Sequence, residues 1–161
     1  MVNTMTRIAP VSLIVLMTGC ALFSKKEPEA TFALYEQVHP ALPASRVQQV
    51  EVPKTGLKIP ISTLPTLTEY DVESAILKGA ATGTAILLQF NMHGRMVLQE
   101  TTIRARDNYL VIFLNNRPVA ALRIDQPITN GQLLLEGDFG DEEAKQAVEA
   151  FNLMAKKQKV F

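Results

Sequence analysis

The sequence has few of the residues that disulfides and transition-metal sites require. Cys20 is its only cysteine, so no disulfide can form within the chain. The two histidines, His39 and His93, have no second histidine or cysteine at a ligand spacing. This argues against a transition-metal site and favours two solvent-exposed side chains. The fold must therefore be held together by its hydrophobic core.

An excess of charge of either sign is also missing. The chain has 16 basic and 16 acidic residues, and the basic ones cluster only at Lys156, Lys157 and Lys159 near its end. Proteins that bind nucleic acid concentrate basic residues on one surface. Nucleic acid is therefore not an expected partner.

No apolar run is long enough to span a membrane. The stretch from Ile8 to Met17 is half of the roughly 20 residues that a spanning helix needs, and Pro10 interrupts it. It begins after Arg7 and leads into Leu-Met-Thr-Gly-Cys, which is the layout of a bacterial lipoprotein signal. We expect cleavage between Gly19 and Cys20. An ordinary secretory signal followed by a chance cysteine is the alternative.

Lipid on the Cys20 thiol would anchor the chain to a membrane without spanning it. It would also leave no free thiol, so a cysteine nucleophile is excluded and no cofactor other than this covalent lipid is expected. The next residue is Ala21, not the aspartate that commonly retains lipoproteins in the inner membrane. We therefore expect attachment to the outer membrane, facing the periplasm, if the host has two membranes.

The predicted organisation is a signal peptide over residues 1–19, a flexible lipid-anchored tether over 20–46 and one domain over 47–161, with its core at about 64–155. The tether prediction rests on three prolines and scattered apolar residues, although a short helix over 31–38 is an alternative. A fragment that starts near Arg46 should accordingly fold. Prolines at 53, 60 and 65 predict edge strands or irregular extended chain before the core.

Beyond residue 67 the pattern predicts the order β-β-α-β-β-β-α. This is a small α+β domain, with a largely antiparallel sheet and two helices on one face. Asn91 is placed to cap the first helix, over 92–106. Asn115 and Asn116 separate two apolar runs and predict a hairpin. The last helix is the most clearly marked, because its apolar residues recur every three to four positions.

Acidic residues before and within the last helix suggest either a calcium site, an acid pair or a charged helix start. They are Asp138, Asp141, Glu142 and Glu143. Their spacing favours the helix start, where carboxylates stabilise the dipole by roughly 0.3 to 1 kcal/mol each. The sequence also has no nucleophile elbow and no phosphate-binding glycine loop. We therefore predict no catalytic residues, no metal site and no enzymatic activity.

Five segments together resemble a known family. They are Tyr109 to Ile124, Gln126 to Phe139, Glu142 to Lys145, Leu67 to Ala75 and Leu88 to Gly94. These segments are similar to the head subdomain of the first periplasmic (P1) region of SecD and SecDF, membrane components that assist protein export. The resemblance covers residues 64–155 and implies the same α+β head fold. In the family this head is proposed to contact translocating polypeptide.

The sequence departs from the family at its turns. Asn115 and Asn116 replace an Asp-Gly pair, Asn130 replaces a glycine, and Gly140 replaces a threonine that caps a helix. The resemblance implies a detached head domain on a lipid, so we predict a non-enzymatic module that binds a protein or peptide in envelope assembly or export. An envelope scaffold subunit without a peptide groove is the alternative. The sequence gives no oligomeric state.

Two kinds of binding surface are open from the sequence. One consists of polar loop residues, which are commonly used for recognition on rigid scaffolds: Asn115, Asn116, Arg117, Thr129, Asn130 and Gly131. The other is a strand edge that accepts an extended peptide. Simple turn chemistry is the alternative explanation for the loop residues.

Overall fold

The computed structural model describes residues 29–39, 42–80 and 83–159. Within them the chain forms nine strands and two α-helices. In order, these are β1 (Phe32–Glu36), β2 (Val47–Glu51), β3 (Lys58–Ser62), β4 (Leu67–Thr68), β5 (Val72–Ala80), β6 (Gly83–Phe90), α1 (Met92–Arg104), β7 (Tyr109–Leu114), β8 (Arg117–Arg123), β9 (Gln132–Leu135) and α2 (Asp141–Gln158). The predicted α+β class is confirmed.

The strands form two sheets and a separate hairpin, and every pairing is antiparallel. The first sheet has the order β4-β1-β7-β8 and the second the order β5-β6-β9, while β2 pairs with β3. The prolines between 53 and 65 thus belong to a two-stranded hairpin and its flanks, in line with the prediction of edge strands there. Pro60 itself lies opposite Gln49 in this hairpin.

Strand β7 is buried on both of its faces. Leu110, Ile112 and Leu114 lie in the main core with both helices and the second sheet, whereas Val111 lies in a smaller core beneath the β2–β3 hairpin. Alternate residues of a strand point to opposite faces. The continuous apolar run in this part of the sequence is therefore the pattern of a strand covered on both sides.

The main core receives the apolar face of α2 and one side of α1. Ala144, Ala147 and Phe151 of α2 and Leu98 of α1 are fully buried there. The Phe151 ring meets the ring of Phe32 in β1 at an angle of 79°, with centroids 6.4 Å apart. Both helices thus pack against the same core, as predicted.

The first turn of α1 forms as the sequence predicts. The Asn91 side chain accepts a hydrogen bond from the Gly94 amide at 2.9 Å, which satisfies one of the free amides of the helix start. The helix ends at Arg104, two residues earlier than predicted. Ends of helices are the least certain part of a sequence-based assignment.

Strand β1 corrects the prediction of a flexible tether over residues 20–46. It pairs with β7 along its whole length, and Phe32 is buried in the main core. On the opposite face, Tyr35 packs against Phe113 with 4.9 Å between ring centroids. Five residues are too few to establish a periodic pattern in a sequence, so this strand was indistinguishable from linker.

The folded part of the chain therefore begins near Ala30, which is buried, and not at residue 47. The alternative of a helix over 31–38 is wrong for the same reason. The predicted signal peptide over residues 1–19, the lipidation site Cys20 and the neighbouring Ala21 lie outside the described residues.

Candidate functional site

The first group of candidate binding residues lies at the β7–β8 turn. Asn115 and Asn116 have φ values of 51° and 61°, the left-handed conformations that a tight hairpin needs. The Asn115 amide nitrogen donates to the Thr31 carbonyl at 2.9 Å, and its side-chain Nδ2 donates to Glu143 Oε1 at 3.0 Å. This turn therefore ties the start of β1 to the start of α2.

Arg117 extends the same connection. Its Nη1 donates to the Asp138 carbonyl and its Nη2 to Glu143 Oε2, both at 2.6 Å. The Arg117 side chain is 42% exposed, so it holds the loop before α2 from the surface. These contacts are structural, and a role for Arg117 in binding stays a prediction.

The second group lies on a different part of the domain. The Thr129 carbonyl accepts from Arg95 Nε at 3.2 Å, and Asn130 Oδ1 accepts from the Gln132 amide at 3.0 Å. Gly131 has a φ of 69°, and a Cβ at this position would lie only 2.9 Å from Arg95 Cγ. The two candidate loops contact α2 and α1 respectively. Among the described residues, no contact of these loops joins them into one site, and the binding role of both stays a prediction.

The acidic residues at the start of α2 are engaged with neighbours. Asp141 accepts a hydrogen bond from Thr84, and Glu143 binds Arg117. Glu142 accepts from Lys145 Nζ at 2.6 Å, and this bond raises the pKa of Lys145 above its ordinary value. Within the described residues, no three His, Cys, Asp or Glu side chains are grouped so as to hold a metal ion.

The two histidines lie on the surface. The His93 side chain is 73% exposed, and its Nδ1 is 2.8 Å from Asp71 Oδ1. His39 is exposed beyond the end of β1. The first turn of α1 thus positions His93 beside a carboxylate that also accepts from the Thr68 amide at 2.9 Å.

The structure identifies the strand edges that the sequence could not. Strand β4, at one end of the first sheet, has only two residues, whereas β8 at the other end has seven. In the second sheet, β5 lies at an edge, but the Asn152 side chain covers its backbone at Ala75. Strand β8 is therefore the longer edge of its sheet and a candidate for strand addition.

The outward side of β8 can be assigned from its backbone hydrogen bonds. Ile124 exchanges two bonds of 2.9 Å with residues just before β7, so its backbone groups face β7. The Val119 carbonyl points the other way and accepts from the Asp138 amide at 2.9 Å. Successive residues of a strand direct these groups to opposite sides. Ala121 and Arg123 therefore present amides and carbonyls outward, without a partner in the described part of the chain.

A cavity of about 410 Å³ lies beside this outward side. Its apolar lining includes Val52 and Leu57 from the loop between β2 and β3, Tyr109 from β7 and Ala121 from β8. We call this cavity, together with the outward side of β8, the edge groove. It combines unpaired backbone groups with space for a side chain.

Gly137 forms part of the wall of the edge groove. A side chain at this position would place its Cβ 2.7 Å from the Val119 carbonyl oxygen, which is closer than real contacts allow. A glycine therefore lets the chain after β9 come close to β8 and bond to it through Asp138. The only sequence signal for this wall was a glycine shortly after a predicted strand.

Structural comparison finds this fold in SecDF. Two solved structures align with TM-scores of 0.56 and 22% sequence identity: SecDF in a super-membrane-facing form, and SecDF described as a membrane component that enhances protein export. The aligned parts cover 76% and 78% of this chain. This chain has a SecDF-like fold.

The likeness covers only part of each SecDF chain. The aligned region makes up 18% of the SecDF chain in the first structure and 63% of the SecDF chain in the second. No family model and no curated protein matches the sequence. Among the described residues, neither helix combines the length and apolar character that a membrane crossing needs.

Proposed function

We propose that this chain is a lipid-anchored, non-enzymatic module of the cell envelope that binds extended segments of client proteins along the edge groove. The observation that carries the proposal is the outward backbone of Ala121 and Arg123 beside a cavity of about 410 Å³. An extended peptide that pairs with an exposed strand gains main-chain hydrogen bonds and directs alternate side chains to one face. One of these side chains would enter the cavity.

The energetics favour weak and reversible binding. Each backbone hydrogen bond contributes about 0.5–1.5 kcal/mol net, and burial of one apolar side chain about 1.5–3 kcal/mol. The loss of peptide freedom offsets much of this gain. We therefore expect Kd values of roughly 10 µM to 1 mM, which suit brief contact with a passing chain.

The SecDF-like fold favours the proposal that the clients are polypeptides. SecDF is described as a membrane component that enhances protein export. By analogy we propose that the clients are proteins in export or envelope assembly, although a shared fold hosts different functions. The edge groove, and not the fold alone, is the basis of this proposed role.

The anchor would hold the domain near the membrane. Eleven residues separate Cys20 from Phe32, the first residue of β1. Fully extended they reach about 40 Å, and as a flexible chain about 18 Å root-mean-square. The groove would thus stay within a few tens of ångströms of the bilayer, which we propose to be the outer membrane on its periplasmic side.

Substitution of the lipidation site tests the anchor. Cys20→Ser removes the thiol to which diacylglycerol would attach, so a fatty-acid label should no longer be incorporated and the protein should leave the membrane fraction. Fractionation of the two membranes on a sucrose gradient then tests the location. Label on the serine variant would overturn the anchor, and co-migration with inner-membrane markers would overturn the outer-membrane location.

A scaffold subunit is the second candidate function, and a different surface favours it. On the outer face of the second sheet, Ile76 and Leu134 lie on either side of Leu87, in register with it, and are 48% and 47% exposed. A row of apolar residues across three strands is a surface that a folded partner could cover.

Site-specific cross-linking in cells separates the two functions. A photoreactive residue at Leu57, which is 39% exposed and lines the edge groove, should capture many polypeptides of different size. The matched control is Leu64, which is 75% exposed and does not line the groove. Capture of one partner at fixed stoichiometry from Leu134, with little capture from Leu57, would favour the scaffold. Equal yields from Leu57 and Leu64 would overturn the groove as the binding site.

A further inference from the structure

Three charged residues line the cavity of the edge groove, and two of them bind each other. They are Lys54, Glu136 and Asp138. Lys54 Nζ lies 3.1 Å from Asp138 Oδ1, so the loop between β2 and β3 is linked across the groove to the chain after β9. The neighbouring Arg117 also approaches Asp138 Oδ2, at 3.9 Å.

The charges beside the cavity balance without Glu136. Lys54 and Arg117 supply two positive charges, and Asp138 and Glu143 supply two negative ones, all within ion pairs. Glu136 adds one negative charge to this cluster. Its side chain is exposed, and no hydrogen bond or ion pair joins it to another described residue. The cavity therefore has one carboxylate in excess.

We propose that Glu136 gives the groove a preference for segments in which a lysine or arginine lies close to the apolar residue that fills the cavity. This inference rests on the proposed function. A bound strand would bring side chains past Glu136, and a basic one would gain an ion pair without breaking an existing contact. An acidic side chain would meet uncompensated negative charge. Ion pairs at exposed sites change affinity by roughly two- to five-fold.

Peptide titration of the full chain in phosphatidylcholine nanodiscs tests the preference. The probes are capped seven-residue peptides with a central valine, in which lysine, glutamine or glutamate occupies each other position in turn. At one or more positions, the peptide with lysine should bind roughly two- to five-fold more tightly than the peptide with glutamine. The peptide with glutamate should bind more weakly than the peptide with glutamine. The difference should shrink between about 20 mM and about 300 mM salt, because ions screen exposed charges.

Two variants assign the preference to a residue. Glu136→Gln should bind the lysine and glutamine peptides equally while keeping the affinity for the glutamine peptide. Glu100→Gln is the matched control, because Glu100 is an exposed carboxylate on α1 away from the groove. It should keep the full preference for lysine.

The outcomes separate this inference from the function on which it rests. Binding of all peptides with equal affinity, or a lysine preference that survives Glu136→Gln, overturns the role of Glu136 and leaves strand addition standing. Binding of no peptide overturns both. In that case concentration-dependent self-association would indicate that a second copy of the chain occupies the groove.

Discussion

Asn152 and Ala75 form the two hydrogen bonds that a neighbouring strand would otherwise supply. The Ala75 amide donates to Asn152 Oδ1 at 2.9 Å, and Asn152 Nδ2 donates to the Ala75 carbonyl at 2.8 Å. An unpaired edge is a site for unwanted pairing with other chains, and proteins commonly cover it. Asn152 of α2 thus covers the edge of β5 at Ala75, while the edge of β8 stays available at Ala121 and Arg123.

Removal of this pair should destabilise the domain. Asn152→Ala leaves the amide and carbonyl of the buried Ala75 without their partners, which should lower the free energy of unfolding by about 1–3 kcal/mol. Urea unfolding followed by circular dichroism measures the loss. Asn152→Asp keeps the acceptor for the amide but places a charge against the carbonyl, so it should not restore stability. A wild-type midpoint in both variants would contradict the role given to Asn152.

Strand β1 should be indispensable for folding. A fragment over residues 29–159 contains β1 and should unfold cooperatively on heating. A fragment over 47–159 lacks Phe32 and the central strand between β4 and β7, so it should give no cooperative transition. The comparison uses the same assay for both fragments. A cooperative transition of the shorter fragment would instead support the flexible tether that the sequence predicted.

Gly137 should be required for the shape of the edge groove. In Gly137→Ala the new methyl group would collide with the Val119 carbonyl oxygen, so the chain after β9 must move away from β8. We expect a loss of about 1–3 kcal/mol in stability and a weaker affinity for extended peptides. Gly79→Ala is the control, because a Cβ there meets nothing within 4 Å. An equal effect of the two substitutions would show that the close approach is unimportant.

The elements that the sequence predicts correctly are those with local markers. The apolar face of α2 spans several turns, the Asn115–Asn116 pair adopts the left-handed turn that asparagine tolerates, and Asn91 caps α1. Each of these signals lies within the element itself or beside it. Local chemistry determines these elements, so they can be predicted without knowledge of the tertiary structure.

The features that escaped prediction depend on residues far apart in the chain. Strand β1 is short, and its identity comes from pairing with β7 about 80 residues later. The edge groove exists because β8 ends its sheet, and the edge of β5 is covered at Ala75 because Asn152 lies opposite that residue. No periodic pattern in the sequence records which strands become neighbours.

Amide hydrogen exchange along β8 is the most direct test of peptide binding by strand addition. In the free protein, the amides of Ala121 and Arg123 should exchange quickly, whereas those of Ala120 and Leu122, which face β7, should exchange slowly. Saturation with an extended peptide should slow the first pair by roughly two- to ten-fold, because each amide gains a hydrogen bond worth about 0.5–1.5 kcal/mol net against local opening. Peptide binding that leaves both exchange rates unchanged would contradict the account.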